Sequence, residues 1–240
     1  MSSFAAELLA PGGDADVASD GSELAAWARL LLVALRGDSA TARSILAGFE
    51  MLPDSDDPED QSALATGEAM TAAVEGDPDA ALEHALRALS FVDALGVSHE
   101  ALRWGWPIAT RLALDRGDRD VVDRMLAMLP VELPRLVPPL LRAERLLVLA
   151  RRSAAEGSDD AGAAFESAVA AMREMSPPHL LAQGLLDQAE YLVAHGDPTG
   201  AAAAIDEARA IGVRLSCRPV IARAEAVAAF DVTPMSAGGH

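Results

Sequence analysis

The histidines and the single cysteine are the residues of this chain best suited to metal binding or nucleophilic chemistry. The histidines are scattered, without the spacing of metal ligands, at His84, His99, His179, His195 and His240. His99-Glu100 begins a helical zinc-protease pattern, but that pattern needs a second histidine where Arg103 stands. The spacing therefore predicts no metal site and no cofactor, and we expect the histidines at the surface or in turns.

The remaining candidates for catalysis lack converging groups. Asp206 and Glu207 are adjacent on a predicted helix and so point apart, and no Gly-x-Ser-x-Gly elbow is present. The acidic stretch between Asp54 and Asp60 lacks the glycine and terminal glutamate of a calcium loop, which favours a solvated linker. Cys217 cannot form an intramolecular disulfide and is expected to be a semi-buried packing residue. The sequence predicts a protein that is not an enzyme.

Charge argues against two classes of partner. The formal net charge is −18, and all 19 basic residues are arginine, with no lysine or asparagine, a bias typical of GC-rich bacterial codons. Because nucleic-acid affinity rests on basic side chains, direct nucleic-acid binding is disfavoured, as is an anionic membrane surface. No apolar run approaches bilayer length and "MSSFAAELLAPGGDADVASDGSE" has no basic region, so we expect a cytoplasmic protein.

A regular spacing of glycines organises the chain. Successive intervals of 39, 41, 40 and 39 residues separate Gly37, Gly76, Gly117, Gly157 and Gly196. Periods of this length are typical of solenoids, in which each unit buries its apolar face by stacking on its neighbours. Where aspartate and proline follow, as in Asp77-Pro78 and Asp197-Pro198, the glycine ends one helix, the aspartate caps the next and the proline begins it.

Reading outward from these turns predicts an all-α fold of about five antiparallel helix pairs. Apolar residues recur at helical period, as at Ala201, Ala204, Ile205 and Ala208, and no segment alternates as a strand would. The predicted helices are 22–36 with 39–52, 59–75 with 78–94, 99–116 with 119–129, 139–156 with 160–174, and 178–195 with 198–212, with a capping helix at 218–230. Flexible tails are predicted at 1–20 and 232–240, around a single solenoid domain at 21–231.

Small residues around each turn glycine resemble the tetratricopeptide repeat. Five residues after the glycines stand Ala42, Ala81, Val122, Gly162 and Ala201, and Trp106 lies eleven before Gly117. The period is about 40 rather than 34 residues, and the third and fourth units are degenerate. The resemblance implies a right-handed α-solenoid with a concave binding groove. That family's chaperone-tail clamp uses lysine and asparagine, which are absent here.

The stretches "EGDPDAALEHALRAL" and "SPPHLLAQGLLDQAEYLVAHGDPTGAAAAIDEARAI" are also similar to helical arrays that end large ATP-binding transcriptional regulators and adenylate cyclases of high-GC bacteria. This resemblance implies a regulatory role. No phosphate-binding loop and no basic DNA-reading helix accompany the array. We therefore expect a helical scaffold for a protein or peptide partner, with a small-molecule-sensing array as the alternative. Homo-oligomerisation is left open.

The resemblance also implies which residues line the groove. By register with the turn glycines these are Trp27, Met70, Trp104, Arg111, Glu144, Arg151, Gln183 and Glu190. In "RWGWP", Trp104 and Trp106 lie close to Arg103 and Arg111 and could form an aromatic, cationic patch for a peptide. In the alternative interpretation Trp106 belongs to the core and Pro107 bends or begins a helix, and Trp104 is compatible with either.

Overall fold

The computed structural model describes residues 23–49, 55–130, 132 and 135–231, and this part of the chain is helical and contains no strand. The all-α prediction is confirmed. The tails predicted at 1–20 and 232–240 lie outside the described residues. The chain divides into two compact units, with the boundary between Arg142 and Ala143. Stacking of both units as one solenoid over 21–231 stays a prediction.

The first unit is built from consecutive helix pairs that meet at short turns. Its helices are α1 (Glu23–Leu35), α2 (Ser39–Leu46), α3 (Pro58–Glu75), α4 (Pro78–Leu89), the short α5 (Val92–Leu95), α6 (Glu100–Arg116) and α7 (Arg119–Ala127). Helix α1 packs against α2 and α3, while α3 also packs against α4 and α6. Helix α6 in turn packs against α4 and α7.

The second unit is built from consecutive helices around a central one. The helix α8 (Pro139–Ala155) crosses the boundary, and α9 (Ala161–Met175), α10 (Pro178–Ala194), α11 (Pro198–Leu215) and α12 (Arg218–Asp231) follow it. Helix α10 packs against α9, α11 and α12, and α11 also packs against α12. The central position of α10 means that its side chains can reach neighbours on several helices.

The turn between α10 and α11 shows how the chain reverses direction. Gly196 has φ of 77°, a left-handed conformation that a side chain would strain. Asp197 accepts a hydrogen bond of 2.9 Å from the Gly200 N–H, and Pro198 begins α11. Asp77 caps α4 in the same way through the Ala80 N–H. The other turn glycines, Gly37, Gly76, Gly117 and Gly157, also have positive φ.

Alanine and leucine fill the core of each unit. In the first unit Leu30 and Ala42 form part of one buried cluster, and Trp106 is fully buried with its indole N–H donating to the Met125 carbonyl at 2.9 Å. The burial of Trp106 therefore agrees with the interpretation in which it belongs to the core. In the second unit a buried cluster joins Leu185 and Ile205 to residues of α12. Full burial of a leucine contributes roughly 1.5–3 kcal/mol.

Two helices end five or more residues before their predicted ends. Helix α2 ends at Leu46 rather than near 52. The predicted helix at 78–94 breaks after Leu89, where the Ser90 hydroxyl donates to the Arg87 carbonyl and tightens the last turn. Pro107 lies inside α6 rather than at its start. Pro107 is tolerated inside α6 because the helix packs against its neighbours, although local propensity alone would place a proline at a helix end.

Candidate binding face on the second unit

Three polar side chains share one side of α10. Gln183, Asp187 and Glu190 are spaced at i, i+4 and i+7, which places them one above the other along the helix. The helix can hold them rigidly because Pro178 begins it and Leu185 and Leu186 anchor it in the core. We call the side chains of Arg151, Gln183, Asp187, Glu190 and Arg223 the α10 polar network.

Arg223 of α12 connects all three α10 side chains. Its Nη1 donates to Gln183 Oε1 at 2.7 Å and its Nη2 donates to Asp187 Oδ1 at 2.6 Å. Both Nε and Nη2 donate to Glu190 Oε1, at 3.0 and 2.9 Å. A planar guanidinium suits this role because its donors have a fixed fork geometry. The contacts tie α12 to α10 by charge-assisted hydrogen bonds.

Arg151 of α8 also contacts the network, through Asp187. Its Nε lies 3.9 Å from Asp187 Oδ2, and the Asp187 side chain is only 2% exposed. Burial by itself lowers the pKa of Arg223, but the charges of Asp187 and Glu190 and its hydrogen bonds to them outweigh that effect and raise it. The guanidinium groups of Arg151 and Arg223 thus balance the carboxylates of Asp187 and Glu190, and the Asp187 carboxylate is buried.

The network leaves specific groups available to a ligand. Because the Gln183 oxygen accepts from Arg223, the Gln183 amide nitrogen retains its two donors. The Glu190 side chain is 49% exposed and has acceptor capacity beyond its bonds to Arg223. A donor and an acceptor held in position on one helix face can bind a peptide backbone, which presents both kinds of group.

The structure brings together three of the eight residues predicted for the groove. Arg151, Gln183 and Glu190 all belong to the α10 polar network. Glu144 lies seven residues before Arg151 on α8 and is 2% exposed. Trp104 and Arg111 lie on α6 in the first unit, where both are half-buried.

The two other residues placed in the groove by register belong to packed positions. Met70 is buried, and the Trp27 ring stacks on Phe49 with 5.5 Å between the ring centroids. Met70 in α3 and Trp27 in α1 stand at the predicted distance from the turn glycines. Their apolar side chains, however, turn toward neighbouring helices. Register alone therefore does not separate a groove residue from a core residue.

Sequence reasoning missed Asp187 and Arg223. Asp187 could have been found as the middle member of a polar stripe with Gln183 and Glu190 on an otherwise apolar helix. Arg223 lies 40 residues after Gln183, which is the period of the turn glycines. This spacing is the signal that could have linked the two residues.

Cys217 and His179 are the other candidates for chemistry, and His179 lies on α10 four residues before Gln183. Burial raises the pKa of the Cys217 thiol, which lowers the fraction of reactive thiolate. Burial also lowers the pKa of His179 to about 4. Within the described ranges no three histidine, cysteine, aspartate or glutamate side chains come together in a group that could hold a metal ion.

None of the helices described above is long and apolar enough to span a bilayer. No family model, curated protein or solved structure matches this chain.

Proposed function

We propose that this chain is a non-enzymatic, right-handed, tetratricopeptide-like scaffold that binds a protein or peptide partner in bacterial transcriptional or signalling regulation. The α10 polar network carries the proposal. It offers a positioned donor at the half-buried Gln183 and a positioned acceptor at the exposed Glu190. Polar groups that are already ordered lose less conformational entropy on binding than free side chains do.

The order of the helices supports the repeat part of this proposal. The first helix of one pair packs against the first helix of the next, as α1 does with α3, α3 with α6, and α10 with α12. This is the contact that places successive first helices side by side along a groove. The regulatory setting rests on the similarity to the arrays of large bacterial ATP-binding regulators.

Peptide selection against the full chain tests the proposal. Peptides isolated from a random library should bind saturably, and Gln183→Ala and Glu190→Ala should each weaken binding about tenfold or more, as for a groove anchor. The matched control is Arg173→Ala, which removes an exposed ion pair with Glu207 between α9 and α11. Circular dichroism and thermal unfolding check that each variant is folded.

Two results would contradict the proposal. One is the failure of any peptide or crosslinked protein to show saturable binding. The other is binding that is equally strong in the wild type and in both α10 variants. Reduced binding only in the Arg173→Ala control would place the binding surface elsewhere.

A small-molecule-sensing array is the second candidate, and Trp104 with Arg111 favours it. The two residues are seven apart on α6, so they lie two turns apart on one side of the helix, and both are half-buried. An aromatic ring and a guanidinium so placed suit an anionic or aromatic metabolite. Metabolite-dependent stabilisation that Trp104→Ala removes would support this candidate, and stabilisation by none would remove it.

A further inference from the structure

Glu190 is the most exposed charged group of the α10 polar network. Its side chain is 49% exposed, whereas the side chains of Arg223, Arg151 and Asp187 are 26%, 19% and 2% exposed. Ala194 lies one turn after Glu190 on α10, and it is exposed and has only a methyl group to set beside the carboxylate. A ligand that approaches this part of α10 from solvent therefore meets a carboxylate first.

The two oxygens of the Glu190 carboxylate are not equivalent. Arg223 donates to Oε1 twice, through Nε at 3.0 Å and through Nη2 at 2.9 Å. No donor in the described part of the chain makes a hydrogen bond to Oε2. Because two hydrogen bonds occupy both lone pairs of Oε1, Oε2 is the oxygen that can accept from a ligand.

This difference between the oxygens distinguishes a lysine ligand from an arginine ligand. An arginine binds a carboxylate most strongly through both oxygens at once, and Arg223 already occupies one oxygen of Glu190. A lysine ammonium is a compact charge with three donors on a flexible stem, so it can bind a single oxygen. Glu190 therefore suits a lysine better than an arginine.

Gln183 supplies a second anchor for the same ligand. Its Oε1 accepts from Arg223 at 2.7 Å, which fixes the amide and leaves the donors of its nitrogen for a ligand. Gln183 precedes Glu190 by seven residues, which is about 10 Å along the helix axis. Three residues of an extended peptide also span about 10 Å. One peptide can therefore place a backbone carbonyl at Gln183 and a lysine at Glu190.

The charge of the second unit favours the same kind of partner. Residues 143–231 contain thirteen aspartate and glutamate residues and eight arginines, and the net charge of the full chain is −18. This acidic excess attracts a basic segment and repels an acidic one. The chain has no lysine of its own, so a lysine bound at Glu190 comes from a different protein and not from a second copy.

We propose that Glu190 and Gln183 select a partner peptide that carries a lysine, an inference that rests on the proposed peptide-binding function. The lysine ammonium donates to Glu190 Oε2, and a backbone carbonyl about three residues away accepts from the Gln183 amide. Arg223 is a positioning residue, because it holds both side chains in place through its own hydrogen bonds.

Lysine substitution in selected peptides tests this proposal. Peptides are isolated from a random library with the full chain, and lysine should be enriched relative to the unselected library. The binding peptides are then synthesised with acetylated N-termini, so that lysine side chains are their only ammonium groups. Replacing the enriched lysine by methionine should weaken binding about tenfold or more, and replacing it by arginine should weaken binding by a smaller factor.

Protein variants connect the peptide lysine to Glu190. In Glu190→Gln, the methionine peptide should bind within about threefold of the lysine peptide, because the carboxylate that pairs with the lysine is gone. Glu166→Gln, at an exposed carboxylate on α9, is the matched control and should keep the full difference between the two peptides. Circular dichroism and thermal unfolding check that both variants are folded.

The possible results separate lysine selection from peptide binding as such. Saturable binding by peptides without an enriched lysine, or with enriched aspartate or glutamate, overturns lysine selection and leaves the proposed function standing. A lysine dependence that is the same in the wild type and in Glu190→Gln also overturns it. If no peptide binds saturably, both lysine selection and the proposed function are overturned.

Discussion

Nη2 of Arg223 lies 2.6 Å from Oδ1 of Asp187, whose side chain is 2% exposed. This pair joins the last helix of the second unit to the central helix α10. Removing a charge from water is costly, and the contacts with the Arg223 and Arg151 guanidinium groups offset that cost at Asp187. The same contact orders Gln183 and Glu190 and thus links the stability of the unit to its candidate binding face.

Arg223→Ala should strongly destabilise the second unit. Without the guanidinium, Asp187 is left buried without its partner at 2.6 Å, and breaking a buried ion pair costs about 3–5 kcal/mol. The double variant Arg223→Met with Asp187→Leu should be less destabilised, because the buried carboxylate is removed together with its 2.6 Å partner. Urea unfolding measures both, with Arg209→Ala in the exposed Asp206 pair as a control worth less than about 1 kcal/mol. Equal losses for Arg223→Ala and Arg209→Ala would show that the buried pair contributes little.

His179 should make the folded protein sensitive to mild acid. Burial lowers its pKa from 6.5 to about 4 in the folded state. Between these values the unfolded chain binds the proton and the folded chain does not, so the free energy of unfolding decreases as the pH falls from 6.5 to 4. The side chain is half-buried, and we expect a loss of roughly 2 kcal/mol, with no His179 contribution to the slope above pH 6.5.

Unfolding curves at several pH values check this expectation. His179→Gln should remove the His179 part of the slope, while His195→Gln, at an exposed histidine, should retain it. A slope that is the same in the wild type and His179→Gln would mean that other groups cause the acid sensitivity.

Asp197→Ala should destabilise the protein by about 1 kcal/mol, the usual cost of a lost helix cap. Asp197 accepts the Gly200 N–H at 2.9 Å, whereas Asp160 precedes α9 without a side-chain capping bond. Asp160→Ala is therefore the matched control and should have little effect on thermal unfolding. Peptide binding by the folded Asp197→Ala variant should be unchanged. Loss of binding in that variant would give the turn a role beyond capping.

Gly184→Ala and Gly105→Ala should change stability in opposite directions. A methyl group at Gly184 would overlap the sulfur of the fully buried Met172, and overpacking of this kind costs about 1–3 kcal/mol. At Gly105 the nearest atom, in Leu89, is 3.5 Å away, so alanine fits and its higher helix propensity can contribute up to about 1 kcal/mol. Chemical denaturation of the two variants gives the comparison. Similar free energies of unfolding for the two variants would mean that the Met172 side chain moves aside without a loss of stability.

The sequence alone determined the helical character of this protein and the positions of its turns. Gly196, Asp197 and Pro198 act within a few residues of one another, so their roles depend on local backbone chemistry that a sequence displays directly. The helical spacing of apolar residues in α11 is likewise visible in a short stretch of sequence. For this reason most predicted helix ends lie within two or three residues of those observed.

Only the tertiary structure decided which side chains meet across helices. Arg223 and Asp187 are 36 residues apart, and their contact depends on how α12 lies against α10. The same register placed Glu190 in the polar network and Met70 in a buried position, since the packing of each helix sets which side is covered. Leu146 is apolar like Leu185, yet its exposure follows from the neighbours that α8 has, which no local pattern records.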